Sequence, residues 1–254
     1  MHLRNIVFRP LLNCFNQTDE HLIDFVKKMI IEPEESEEYN LTTSLEDFYR
    51  SLENDTVDLS LEMEDTFFKD VTNGFFIEAG AAEGEIDSHT LLLESKYNWT
   101  GLLIEPFVNG LLFKKRKSKI VLTCLALEPN PHYVELDSST ATLENGLEAM
   151  AGLVKEKTST SMSYQCIPLY SMLAAIGNPT VNWFILDIEG AEFQVSLLIF
   201  IFYCWHAFMK LSKLPIQFYF GGMVIWVGSR MCDKLLKILT RFYKQFLGIL
   251  LILK

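Results

Sequence analysis

GFFIEAGAAEGEIDSHT, Gly74–Thr90, is the stretch whose reading decides the fold. Phe75, Phe76 and Ile77 form a short apolar run of strand formers that ends at a glycine. Gly80 and Gly84 bracket a turn, and Ser88 and Thr90 lead into a helical pattern over Thr90–Lys96. A strand that turns through glycines into a helix brings bare backbone and a helix N-terminus to one point. That geometry suits a nucleotide-like ligand lying across the carboxyl ends of parallel strands. The glycines are spaced G-x-x-x-G rather than G-x-G-x-x-G, and Glu78 at the strand end would repel a pyrophosphate. The same carboxylate can pair with an ammonium or a sulfonium. Taken alone, the unit fits a ligand-free turn as well.

Two further apolar runs end the same way. WTGLLIEP, Trp99–Pro106, is a buried-type strand that stops at Glu105, about 20 residues beyond the glycine turn, where a carboxylate can accept both hydroxyls of a ribose. Trp183–Ile188 runs into the acidic group Asp187, Glu189, Gly190 and Glu192. Three apolar runs stopping at carboxylates or glycine are expected if all three ends face one crevice.

FFIEAGAAEGEIDSHT, WTGLLIEP and WFILDIEGAE resemble the three signatures of FkbM-type methyltransferase domains, and Thr160–Glu192 is more similar still to the Star-like branch of that family. The resemblance spans about Thr18–Gln194. It implies a Rossmann-like class I methyltransferase fold with parallel strands at Phe75–Glu78, Gly101–Glu105, Ile120–Leu127 and Asn182–Asp187. The helix, parallel strand and antiparallel pair that complete the family's sheet have no residue-level match after Gln194, so the sheet reads as incomplete, the pattern of a truncated or alternatively spliced chain. The resemblance also implies S-adenosyl-L-methionine as cofactor, with Glu78, Gly80, Ala81, Gly84 and Thr90 as its methionine-side cradle and Glu105 on its ribose. Asp187, Glu189 and Glu192 are the candidate catalytic carboxylates, orienting an acceptor or taking its proton. The competing reading makes this acidic cluster the cap of the helix that follows.

Two functions follow from the resemblance. One is methyl transfer to an oxygen or nitrogen of a small molecule or glycan. The other is a Star-like, membrane-associated factor of the secretory pathway (endoplasmic reticulum, Golgi, endosome) whose fold engages a secretory cargo protein without catalysis. The cytoplasm is the alternative location.

Charge and cysteine usage narrow the classes. The net charge is −11, yet it is uneven: residues 1–70 carry 6 basic and 17 acidic side chains, and residues 195–254 carry 8 and 1. The acidic front and middle exclude nucleic acid as the expected partner. Five cysteines show no C-x-x-C and no zinc spacing. Cys124 and Cys166 lie in two strand candidates, and a bridge or two buried thiols fit equally. Asn16, Asn40, Asn54 and Asn98 stand in N-x-Ser/Thr sequons, whereas Met1–Leu12, interrupted by Arg4, Arg9 and Pro10, does not read as a signal peptide.

Three regions emerge: an acidic helical and linker region over 1–70, the methyltransferase-like domain over 71–194, and an apolar, basic segment over 195–254. In the first, Thr18–Ile31 reads as a helix capped by Thr18 or Asp19 and stopped by Pro33, and Ser44–Leu52 and Leu59–Asp70 as short surface helices. In the second, Phe107–Lys119 reads as a helix whose basic end, KKRKSK, complements its dipole. Ser138–Thr160 reads as a polar surface excursion, Ser163–Leu169 as a strand and Leu169–Ile176 as a helix. In the third, Val195–Met209 reads as a buried helix, shorter than a span, and Ile216–Val227 as a Gly-Gly hairpin. Arg230–Lys254 is an amphipathic basic helix suited to a membrane surface.

Overall fold

The computed structural model describes residues 12–34, 38–54, 68, 71–85, 88–107, 115–137, 152–154, 159, 161–188, 191, 195, 216–220 and 223–227. Four parallel strands make the central sheet: β1 (Phe75–Ala79), β2 (Thr100–Ile104), β3 (Lys119–Val121) and β8 (Trp183–Leu186), in the order β3-β2-β1-β8. From β1 the chain steps outward through β2 to β3, then returns to the other side of β1 for β8. The strand order therefore reverses between β1 and β8, the switch point at which open α/β sheets leave a crevice beyond their carboxyl ends.

Both faces of this sheet are covered, so its strands read as continuous apolar runs. Alternation along each strand sorts the core in two. Ile77, Ala79, Leu102, Ile104, Phe184 and Leu186 face one side, where α1 (Glu20–Met29) contributes Leu22 and Val26 and α4 (Leu169–Ala175) contributes Met172 and Leu173. Phe76, Leu103, Trp183 and Ile185 face the other, against Leu93 of α3 (Leu91–Tyr97), Trp99 and Phe68. Phe68 sits edge-on to both Trp99 and Trp183, with ring centroids 5.0 Å apart in each case. Gly101 allows a close approach on this face, because a Cβ there would lie 2.2 Å from the Phe76 ring.

The acidic front of the chain is tied into this core. Asp19 caps α1, its carboxylate accepting from the His21 N–H at 2.8 Å. Beyond that helix, Ile31 exchanges backbone hydrogen bonds with Ile120 and so covers the outer edge of β3. The helix α2 (Leu45–Asn54) is capped by Ser44, whose hydroxyl accepts from the Asp47 N–H and donates to its carboxylate. The Leu59–Asp70 helix expectation lies outside the described residues except for Phe68.

Two expectations need correction. Ile120–Leu127 is not one strand. Lys119–Val121 belongs to the central sheet, and Cys124–Leu125 (β4) joins a second sheet, the chain turning at Thr123, whose hydroxyl donates to the Gln165 carbonyl at 2.6 Å. Ser138–Thr160 is not a plain excursion either, because Gly152–Val154 within it is a strand. β5 (His132–Asp137) and β6 (Gly152–Val154) pair antiparallel, and with β7 (Ser161–Ile167) they make a second sheet of order β4-β7-β5-β6. The Gly-Gly hairpin forms as expected, β9 (Ile216–Phe220) against β10 (Met223–Val227), and β9 lies next to β8 without joining its ladder. Among the described residues no helix is long and apolar enough to cross a membrane. The helix expectations for 195–209 and 230–254 fall outside the described residues, apart from Val195.

Cys124 and Cys166 face each other across the parallel β4–β7 pair and form a disulfide, which resolves the alternatives left by the sequence. The bridge closes a loop with a sequence separation of 42, and a loop of that size contributes about 2–4 kcal/mol by constraining the unfolded chain. Replacing both cysteines by alanine should lower the urea-unfolding stability by that amount, and a reducing agent should give the same loss in the wild type while leaving the double variant unchanged.

Candidate functional site

The crevice at the switch point is built from the ends of β1, β2 and β8. The chain leaves β1 at Gly80, whose φ of +86° is unstrained only for glycine. A Cβ there would fall 1.6 Å from the carbonyl oxygen of Asp187 at the end of β8, so the missing side chain makes room for the protein's own backbone. The turn is then tied down on β2: the Gly80 and Ala81 N–H groups donate to the Ile104 carbonyl at 3.0 and 3.3 Å. Glu105, buried at the end of β2, completes the lock. Its carboxylate accepts from the Ala82 N–H and from the Phe107 N–H, both at 2.9 Å.

Glu105 has an aromatic neighbourhood. The Phe107 and Tyr164 rings lie with centroids 5.0 Å apart at 59°. Burial, reinforced by the Glu105 carboxylate, raises the Tyr164 hydroxyl above the ordinary tyrosine range. Tyr164 sits on β7, so the second sheet supplies one wall beside the end of β2. Neither aromatic residue was among the candidates from the sequence, because Tyr164 is brought in by the β4–β7 pairing and no local pattern marks it.

Glu78 takes a different part from Glu105. It is 2 % exposed and lies on the α3 side of the sheet. Its carboxylate accepts from the Thr90 hydroxyl, from the Ser88 hydroxyl and, at 3.0 Å, from the His89 N–H, so it gathers the turn that starts α3. Beside it lies Arg116, also 2 % exposed, which the sequence placed in the basic end of a helix Phe107–Lys119, whereas residues 115–118 are not helical and Lys119 begins β3. That reading is corrected here. The guanidinium donates to Glu94 at 2.9 Å, to the Gly84 carbonyl at 2.6 Å, to Ser88 at 3.1 Å and to Thr90 at 2.9 Å. Glu94 in turn accepts from the Lys117 N–H and the Ser118 hydroxyl. Burial alone would lower the Arg116 pKa, but the Glu94 and Glu78 carboxylates outweigh it and the net shift is upward.

The structure therefore brings Glu78, Gly84 and Thr90 into one internal network, and Gly80, Ala81, Glu105 and Asp187 to the crevice. The Asp187 N–H extends the β1 ladder through the Ala79 carbonyl at 3.0 Å, and Asp187 itself is half-buried. Glu189 and Glu192 lie outside the described residues. His132 bridges its own loop: its Nε2 accepts from the Leu127 N–H at 3.3 Å and its Nδ1 lies 3.1 Å from the Asn130 carbonyl, a pairing that fits the Nδ1–H tautomer.

A buried ion pair is destabilising to break because the remaining charge stays desolvated. Arg116→Met should cost about 3–5 kcal/mol in chemical denaturation. Adding Glu94→Met to that variant should cost less than the two single losses combined, since the orphaned carboxylate is then gone.

Residues 78–195, a little under half of the chain, match the family model described as the Methyltransferase FkbM domain, and the parallel α/β sheet with its switch point is the corresponding Rossmann-like methyltransferase fold. No curated protein and no solved structure matches the chain.

Proposed function

We propose that the crevice between the β1 turn and the end of β2 binds S-adenosylmethionine and that the domain transfers its methyl group to an oxygen or nitrogen acceptor. The observation that carries this reading is Glu105. A buried carboxylate at the carboxyl end of the second strand, fixed by two backbone N–H donors, stands where a ribose diol would meet it. A carboxylate oxygen accepts more than one hydrogen bond, so the ribose hydroxyls can share these oxygens with Ala82 and Phe107. The residues present also fit the rest of the group: Phe107 and Tyr164 offer aromatic faces for a purine beside the Glu105 carboxylate.

S-adenosylmethionine, when bound, supplies an electrophilic methyl on a sulfonium. The chain's task is to hold the donor, exclude water and orient the acceptor, with Asp187, Glu189 and Glu192 as the carboxylates proposed to face it. A small molecule or a glycan is the proposed acceptor class.

A second reading has its own support. The Glu78 carboxylate is engaged by Ser88, His89 and Thr90, and the space opposite Gly80 is taken by the Asp187 carbonyl. Both features shape the fold with no ligand present, as they would in a Star-like secretory factor that uses the same domain to bind cargo, with the basic segment 195–254 at a membrane surface.

Calorimetry with S-adenosylhomocysteine separates the two. The methyltransferase reading expects micromolar binding that Glu105→Ala weakens by about 1–3 kcal/mol, roughly 5- to 150-fold. Absence of heat at millimolar ligand, with the protein folded, would reject it and leave the binding-module reading.

A further inference from the structure

We infer that Asn16, Asn40 and Asn98 are acceptors for N-linked glycans and that this domain folds in an oxidising, membrane-enclosed compartment. Two independent observations meet in this inference. All three asparagines stand in N-x-Thr sequons and all three are exposed. Exposure alone decides little, because asparagine is mostly a surface residue. The second observation is chemical: Cys124 and Cys166 are joined in a disulfide, and stable structural disulfides belong to the compartments where N-glycosylation also takes place.

Each site can carry a bulky modification without disturbing the core. Asn16 sits in the loop before α1, and its Oδ1 accepts from the N–H and hydroxyl of Thr18, both at 3.3 Å, so the sequon's own threonine is already turned onto the amide. Asn40 lies in the segment before α2, where the N–H groups of Thr42 and Thr43 are held by the buried Glu85 at 2.7 and 2.9 Å. Asn98 ends α3 in the left-handed region, with φ of 56°. Its Nδ2 donates to the Asn73 Oδ1 at 2.6 Å, and a glycosylated amide keeps one N–H for that bond. Asn73 and Asn98 precede β1 and β2, so a glycan there stands at the amino edge of the sheet, opposite the crevice at Gly80 and Glu105.

The transfer uses a polyprenyl-diphosphate-linked oligosaccharide. The asparagine Nδ2 attacks the anomeric carbon, a C–N bond forms, the C–O bond to the diphosphate breaks, polyprenyl diphosphate leaves and the amide gives up one proton. The inference does not depend on methyl-donor binding, which is measured separately.

The test is production of the full chain in animal cells, followed by N-glycosidase digestion and peptide mass spectrometry. The expected result is a mobility step for each occupied site and conversion of Asn16, Asn40 and Asn98 to aspartate on release. Thr18→Ala, Thr42→Ala and Thr100→Ala should each remove one step. Thr100→Ala keeps Asn98 in its helix cap, so loss of modification there is not loss of folding. A single unoccupied asparagine removes that residue from the inference. A chain with no glycan at any of the three, in whichever fraction it is recovered, overturns it.

Discussion

The buried guanidinium of Arg116 is the interaction on which the rest of the structure depends. A charge this desolvated is tolerated only when every donor is answered, and here the answering groups come from separated parts of the chain. Glu94 belongs to α3, the Gly84 carbonyl to the turn after β1, and Ser88 and Thr90 to the approach to α3. Glu78, at the end of β1, closes the set from the sheet side through the same hydroxyls. One cation therefore fixes the path from β1 through the glycine turn into α3. Because the Lys117 N–H and the Ser118 hydroxyl also bind Glu94, it fixes the entry to β3 as well.

That network divides labour among three acidic strand ends. Glu78 works inward and holds the turn's far side. Glu105 works across the top of β2, joining the turn to the loop that carries Phe107. Asp187 contributes its carbonyl to the space that Gly80 leaves open. A glycine at a strand end thus reads as ligand access in the sequence but serves chain-to-chain packing in the fold. Substituting Gly80 would report on packing before it reported on any ligand.

Much of this was legible in the sequence. Phe75–Ala79, Thr100–Ile104 and Trp183–Leu186 are dominated by apolar residues because both faces of the sheet are covered, and such runs stand out from their surroundings. The Asp19 cap and the Gly-Gly hairpin are local chemistry and were equally readable. Arg116 was not, because its role depends on Glu94 and Gly84, which folding rather than sequence places beside it; within KKRKSK nothing distinguishes it from the exposed Lys115 and Lys117. Tyr164 was hidden for the same reason. Ile120–Leu127 misled because its apolar run is continuous although the chain changes sheets at Thr123, where the deciding bond is to a residue on β7.

The second sheet makes the crevice asymmetric: β7 is bound to β4 by the disulfide and brings Tyr164 beside Glu105, whereas the other flank is formed by β8 and whatever follows Asp187. The central proposal is that the Gly80–Ala82 turn and the Glu105–Phe107 loop form a ligand-binding rim, while the Ser88–Glu94 turn is internal scaffold. Hydrogen exchange with and without S-adenosylhomocysteine tests that most directly. The account predicts added protection, beyond that of their bonds to Ile104 and Glu105, at the amides of residues 80–82 and Phe107, and no change at 88–94, which Arg116 and Glu78 hold. Protection centred on 88–94, or none added at 80–82 and Phe107 with ligand bound, would contradict it.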